Sequence, residues 1–234
     1  MNIKIIFDKE KIDERLHAGW GISYLIGTVL FDTGENAAWV LDNLKILGVG
    51  LDSIKKIVLS HNHWDHRAAL WQLLSLNKHI EAYVCPDFIK EHKDACSKYT
   101  FKEVNDFMQI TEGIYTTGRL KATYKGDTLE EQALIVKTDK GLSVVCACAH
   151  PGIIEIVSKA KEAFPGERIY AVLGGFHLMG SDNRSIQYVV QEFKRLRVEN
   201  VGPAHCTGYE AVQLLRQFYG KNFLEIKSGV SLAV

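Results

Sequence analysis

The sequence predicts an α/β protein in which helices cover the outer faces of β-sheet. Apolar runs of strand length, several joined by glycine-containing turns, dominate the first half. From about residue 153 onward, segments of helix and strand period alternate. No internal repeat, low-complexity tract or Pro-rich linker interrupts the 234 residues, so 1–234 reads as a single domain.

The elements follow in order. "IKIIF" opens as a strand, and "GISYLIG" and "TVLFDTG" form a hairpin across a glycine turn. Helical spacing runs from about Asn36 to Leu47 and stops before "GVG". "KKIVLS" is a short apolar strand leading into a histidine-rich stretch, after which "AALWQLLSL" resumes helical spacing. "EAYVC" reads as a strand and "PDFIKEHKDAC" as one helix opened by Pro86 and Asp87. "FMQIT" and "IYTTG" are short strands, and "YKGDTLEE" reads as a polar turn. "QALIVKT" and "LSVVCACAH" flank "DKG", a hairpin signal. Helices are then expected at Ile153–Ala163, Ile186–Leu196 and Glu210–Phe218, with strands "IYAVLGG" and "NVGPAH" between them and terminal strands to close.

Lys+Arg and Asp+Glu both number 28, so the formal charge is zero and no general attraction to nucleic acid or an anionic membrane is expected. The opening "MNIKIIFDKE" lacks the apolar core of a secretory signal, and no run approaches the ~18 apolar residues of a membrane span. The five cysteines form no CxxC motif, which points to a reducing cytoplasm and to small buried thiols. A small-molecule substrate, with neither nucleic acid nor membrane as partner, is the expectation.

The chemistry concentrates in "SHNHWDH", Ser60 to His66. An N-cap role would account for Asp65 but for none of His61, His63 and His66. Imidazole is the commonest side-chain metal ligand, and residues i and i+2 of an extended loop point the same way, so His61 and His63 can share an ion. Asp65 and His66, at the start of the next helix, are offset enough to serve a neighbouring one. His150, His177 and His205 each close an apolar run, and strand ends are where sheet proteins gather sites.

"HNHWDH" resembles the HxHxDH signature of the metallo-β-lactamase superfamily, and "FDTG" at Phe31–Gly34 is similar to the short motif that precedes it there. "EEQALIVKT", "CACAHPGI", "GGFHL" and "PAHCTG" resemble a narrower branch. Its members are described as metal-dependent hydrolases of β-lactamase superfamily II or as dihydropterin ribofuranosyl-aminobenzene phosphate synthase-like proteins. The resemblance runs from about Phe31 to the C-terminus. It implies an αββα four-layer sandwich with metal at one sheet edge. It further implies His61, His63 and His150 on a first metal, Asp65, His66 and His205 on a second, and Asp32 orienting a ligand by a hydrogen bond. One or two divalent ions are expected, Zn first, with Mn or Fe as alternatives.

Three features depart from the superfamily pattern, one being that the motif which usually supplies the third histidine of the first metal is absent. The carboxylate that usually bridges the metals has no clear counterpart, because "GDT" at Gly126–Thr128 precedes a strand instead of ending one. His177 is additional, and is open to three roles: metal ligand, substrate-binding donor or general acid. Burial beside metals is expected to lower its pKa. Asp65 and His177 are the expected catalytic residues. Cys206, next to His205 on a strand, is expected to be a buried structural thiol; His17, His79 and His92 are expected at the surface; Trp64 is a candidate for the substrate cleft.

The leading functional reading is a metal-dependent hydrolase using a metal-bound hydroxide on a small ester, phosphoester or lactone. The alternatives are a dihydropterin ribofuranosyl-aminobenzene phosphate synthase-like enzyme and a non-catalytic metal-bearing binding or sensor protein.

Overall fold

A computed structural model describes Met1–Val234. The chain forms two compact units, one of residues 1–105 with 227–233, the other of residues 106–226 with Val234.

The first unit holds β1 (Asn2–Phe7), β2 (Ser23–Ile26), β3 (Val29–Phe31), α1 (Ala37–Ile46), β4 (Lys56–Val58), α2 (Trp64–Arg67), α3 (Leu70–Leu76), β5 (Glu81–Val84), α4 (Pro86–Glu91), α5 (Lys93–Cys96) and β6 (Thr100–Glu103). Its sheet has seven strands, with β1 to β6 in sequence order and the C-terminal strand Ser231–Ala233 added beside β1. β3, β4, β5 and β6 run parallel. The predicted β2–β3 hairpin is present, and α1 starts at Asn36, whose side chain caps Trp39 N. Val40, Leu44, Leu70, Leu73 and Phe88 of the helices pack with Leu30, Ile57, Leu59 and Val84 in one buried cluster. Each such side chain contributes about 1.5–3 kcal/mol by leaving water. The single helix expected over Pro86–Cys96 is broken at His92, whose ψ of 28° leaves the helical region.

The second unit holds β7 (Met108–Thr111), β8 (Ile114–Thr116), β9 (Leu120–Tyr124), β10 (Asp127–Glu131), β11 (Leu134–Thr138), β12 (Gly141–Cys146), α6 (Ile153–Ala163), β13 (Ile169–Gly175), α7 (Asn183–Arg195), β14 (Asn200–Ala204) and α8 (Tyr209–Tyr219). Its main sheet runs β14-β13-β12-β11-β8-β7. The β11–β12 hairpin expected from "DKG" pairs Thr138 with Gly141. The stretch read as a polar turn is instead the end of β9 and all of β10, a hairpin with only Lys125 and Gly126 at its tip. Alternation at Leu120, Ala122 and Tyr124 carried that signal, but the surrounding charged residues masked it.

β12, β13 and β14 are parallel and joined through α6 and α7. A parallel pair needs a crossover, here a helix, so consecutive strands end at the same edge. Ile153, Ile156 and Val157 of α6, Val190 and Phe193 of α7 and Leu215 of α8 cover Val144, Val172 and Val201. The same rule acts in the first unit, where α1 and then α2 and α3 carry the chain from β3 to β4 to β5.

Candidate functional site

In the first unit the ends of β3 and β4 bring Asp32 beside Ser60 and His61. Asp32 N donates to Val58 O at 2.9 Å, and Asp32 itself takes φ +57°, a left-handed conformation uncommon outside glycine. Its carboxylate is fully buried and accepts from Ser60 N (2.7 Å), the Ser60 hydroxyl (2.7 Å) and His66 Nδ1 (2.7 Å). The rest of the "FDTG" motif straps the following helix start. Thr33 donates to His66 O from both backbone and hydroxyl, and Ala68 N donates to Gly34 O.

This network sets the histidine tautomers. Because Ser60 gives its hydroxyl proton to Asp32, it accepts from His61 Nδ1 at 2.8 Å, which leaves His61 Nε2 as an electron-pair donor. His66 Nδ1 is committed to Asp32, so Nε2 is the atom it could offer a metal. His61 Nε2 and His63 Nδ1 lie 2.9 Å apart, near the separation of about 3.3 Å that two nitrogens on one tetrahedral zinc would have. The two side chains point the same way, as i, i+2 spacing in an extended loop predicts. Asp32 bonds the ring of His66, which the resemblance implies is a ligand. Ser60 bridges Asp32 and His61, a role that the motif alone does not reveal.

Asp65 is not the helix cap. His63 occupies that position, and Asp65 sits inside the first turn, buried, with a carboxylate oxygen 3.2 Å from His66 Nε2. Burial works against the charged form of His66, but Asp32 and Asp65 outweigh it and lift its pKa to about 10. Asp32 is itself pushed upward by burial, against the pull of His66 and Ser60. Trp64 is exposed.

In the second unit the three parallel strands deliver His150, His177 and His205 beyond their ends, although each strand stops earlier than the sequence suggested. β12 ends at Cys146, and residues 147–150 form a turn with Ala149 at φ +59°. Glu131, the last residue of β10, is fully buried and holds this turn. Its carboxylate accepts from Ala149 N (2.7 Å), His150 N (2.8 Å) and His150 Nδ1 (2.8 Å). Burial alone would raise the pKa of Glu131; the donors from His150 and Ala149 outweigh it and hold it below the ordinary value. His150 therefore presents Nε2. Glu131 was not singled out in the sequence, since only the folded hairpin brings β10 under the 148–150 turn.

His177 (φ +53°) is exposed, its ring 4.5 Å from that of His150. Its pKa is raised, not lowered as expected, because it hydrogen-bonds Cys206. His205 is buried at φ +47° in a 3₁₀ turn, His205–Thr207, directly after β14. That turn is tied to the His177 loop by Met179 N to Cys206 O (3.1 Å) and Phe176 N to the Thr207 hydroxyl (3.0 Å). Cys206 is buried as expected, but the turn cancels the strand alternation used to set it apart from the site. Tyr124, near the hairpin tip, places its ring 5.0 Å from His150 and 6.0 Å from His177. A cavity of about 450 Å³ in this unit is bounded by His150 and His177 and by Ile154, Leu178 and Val189.

Other expectations fare differently. Asp127 is exposed at the start of β10, opposite Tyr124, and joins no donor group. His79 is exposed, whereas His17 stacks on Trp39 and His92 is partly buried against Phe88 and Trp71. No helix is long and apolar enough to cross a membrane. Imidazoles with fixed tautomers and a buried carboxylate suit a divalent transition-metal ion.

Comparison with known proteins agrees with this chemistry. Residues 22–95 match the metallo-β-lactamase superfamily. The chain is 29% identical to a Methanocaldococcus jannaschii protein named 7,8-dihydropterin-6-methyl-4-(β-D-ribofuranosyl)-aminobenzene-5′-phosphate synthase, over 89% of this chain and 88% of that one. It is 28% identical to Tm1679, described as a metal-dependent hydrolase of the β-lactamase superfamily, with a TM-score of 0.85 over 100% of this chain and 99% of the other. The metallo-β-lactamase fold protein YhfI of Bacillus subtilis, 15% identical, superposes with a TM-score of 0.68 over 99% and 98% of the two chains. The expected fold class is borne out.

Proposed function

We propose that this chain, a member of the metallo-β-lactamase superfamily, is a metal-dependent hydrolase of a small ester, phosphoester or lactone. One observation carries the reading: His61 Nε2 and His63 Nδ1 converge to 2.9 Å while Ser60, held by Asp32, fixes the tautomer of His61. A bound divalent ion supplies Lewis-acid polarisation and makes water acidic enough to attack near neutral pH. His61, His63, Asp65 and His66 would hold metal. His150 and His205 complete the ligand set on the strength of the motif resemblance. In this reading residues 1–234 act as one catalytic domain on a small molecule, with Zn as the first candidate ion and Mn or Fe as alternatives.

The chain's own residues divide the remaining work. Asp32 and Glu131 keep the ring protons of His66 and His150 on Nδ1, so that Nε2 can bind. Asp65 combines ligation with acceptance of the proton released on attack, and His177 acts on the substrate or as a ligand. The apolar wall of the cavity beside His150 suits the uncharged part of a substrate.

Protein reconstituted with Zn²⁺, Mn²⁺ or Fe²⁺ is to be screened against phosphomonoesters, phosphodiesters, lactones and thioesters. Turnover of one class is expected; silence across all of them at full metal occupancy would remove the hydrolase reading. The likeness to the Methanocaldococcus jannaschii synthase supports a second reading, a dihydropterin ribofuranosyl-aminobenzene phosphate synthase-like enzyme. A direct assay with a phosphoribosyl donor and an aminobenzoate tests it.

A further inference from the structure

Three chain segments in the second unit bring two thiols and an imidazole together. Cys148 follows β12, His177 follows β13 and Cys206 follows β14, and the ligand atoms of all three lie within 4.8 Å of one another. Cys206 Sγ also lies 3.4 Å from Cys148 O. Three neighbouring parallel strands thus each supply one donor at the same edge.

The backbone is shaped around this cluster. A Cβ on Gly175 would stand 2.7 Å from Cys206 Sγ and 2.1 Å from Ala147 O, so no side chain fits between β13 and the thiol. His177 takes a left-handed φ of +53°, and the 3₁₀ turn that holds Cys206 is bonded to the His177 loop through Met179 N. Both cysteines are buried while His177 is exposed, so one side of the cluster stays open to solvent.

We infer that Cys148, His177 and Cys206 form a metal site, taking a zinc-class ion on two thiolates and one imidazole with the fourth position open. Ligand atoms on a tetrahedral zinc with these donors stand about 3.5–3.8 Å apart, so the observed cluster needs only small side-chain rotations to close on an ion. Two sulfurs favour a borderline or soft cation over Mg²⁺, Ca²⁺ or Mn²⁺. Three protein ligands with an open position match a site that meets solvent or substrate rather than a closed structural one. The site uses no residue of the "HNHWDH" motif and shares only His177 with the residues that the hydrolase reading names.

The test is a titration of the reduced, metal-free full-length protein with Co²⁺. Thiolate-to-cobalt charge-transfer absorption in the near ultraviolet is expected, with saturation at one thiolate-bound ion per chain. The band should persist in the His61→Ala/His63→Ala variant, weaken in His177→Ala, and vanish in Cys206→Ser with unchanged circular dichroism. Absence of the band in the wild-type protein would overturn the proposal, whatever the variants do. So would a band that survives both Cys148→Ser and Cys206→Ser, or one lost with His61 and His63 while the fold is retained. Rapid Cys148–Cys206 disulfide formation that Zn²⁺ does not prevent would assign the pair to redox chemistry and overturn it as well.

Discussion

A single carboxylate oxygen of Glu131 accepts both the backbone N–H and the Nδ1–H of His150, each at 2.8 Å. One buried residue thereby fixes the position and the tautomer of a candidate ligand. Glu131→Gln places an amide where one acceptor oxygen had been, so an amide N–H group can face another donor. Metal affinity is expected to fall about 10–100-fold, the usual cost of losing such a partner. Competition with a chelator measures this; unchanged affinity would reduce Glu131 to a loop anchor. The lowered pKa of Glu131 also fixes a sign. Its stabilisation is fully present above the unfolded value of 4.5 and is lost as pH falls through the lower folded value, so acid unfolding should move to higher pH in the variant.

The paired nitrogens of His61 and His63 make the next expectation direct. His61→Ala combined with His63→Ala should abolish binding of the ion they share, read as a fall in metal per chain by elemental analysis. Full stoichiometry in the double variant would end the assignment.

His66 gives a pH signature. In the metal-free protein its pKa is raised to about 10, so its contribution to stability is complete below the unfolded value of 6.5 and disappears as pH rises through 10. Urea midpoints of metal-free protein should therefore decline across that window, and the decline should be shallower in His66→Gln. With metal on Nε2 the extra proton is absent, and the difference between wild type and variant in slope should vanish. Parallel slopes in the metal-free proteins would show that His66 is not held protonated by Asp32 and Asp65.

His177→Ala should lower turnover about 10²-fold or more, the scale for loss of an acid–base group, and a comparable loss is expected if it is a ligand. The comparison of kcat with KM separates these from a packing role, which would leave both unchanged. Normal activity in the alanine variant would remove His177 from the reaction.

Much of this was legible in the sequence because strand ends and spacing are local properties. His61 and His63 are two residues apart in an extended loop, and no distant contact is needed to point them together. His150 and His205 could be placed at one sheet edge because parallel strands joined by helices all end there. Glu131 was not legible, since its role depends on a hairpin whose charged residues hid its strand alternation. Cys206 is buried as expected, but the alternation used to place it does not reach it, because the chain leaves β14 at Ala204. Ser60 stood in plain sight, but its function requires Asp32, 28 residues away.

Asp32, Ala149, His177 and His205 all carry left-handed backbone. The chain's chemistry is therefore encoded partly in torsion angles that β-branched residues at those positions would resist by about 1–3 kcal/mol each. A transplant of "HNHWDH" into another loop would move the ligands without the twist at Asp32 that aims its carboxylate at Ser60 and His66. Grafting experiments should consequently transfer β3 through α2 as one block, Val29–Arg67. In libraries the four left-handed positions should be restricted to Gly, Asn, Asp, His or the native residue.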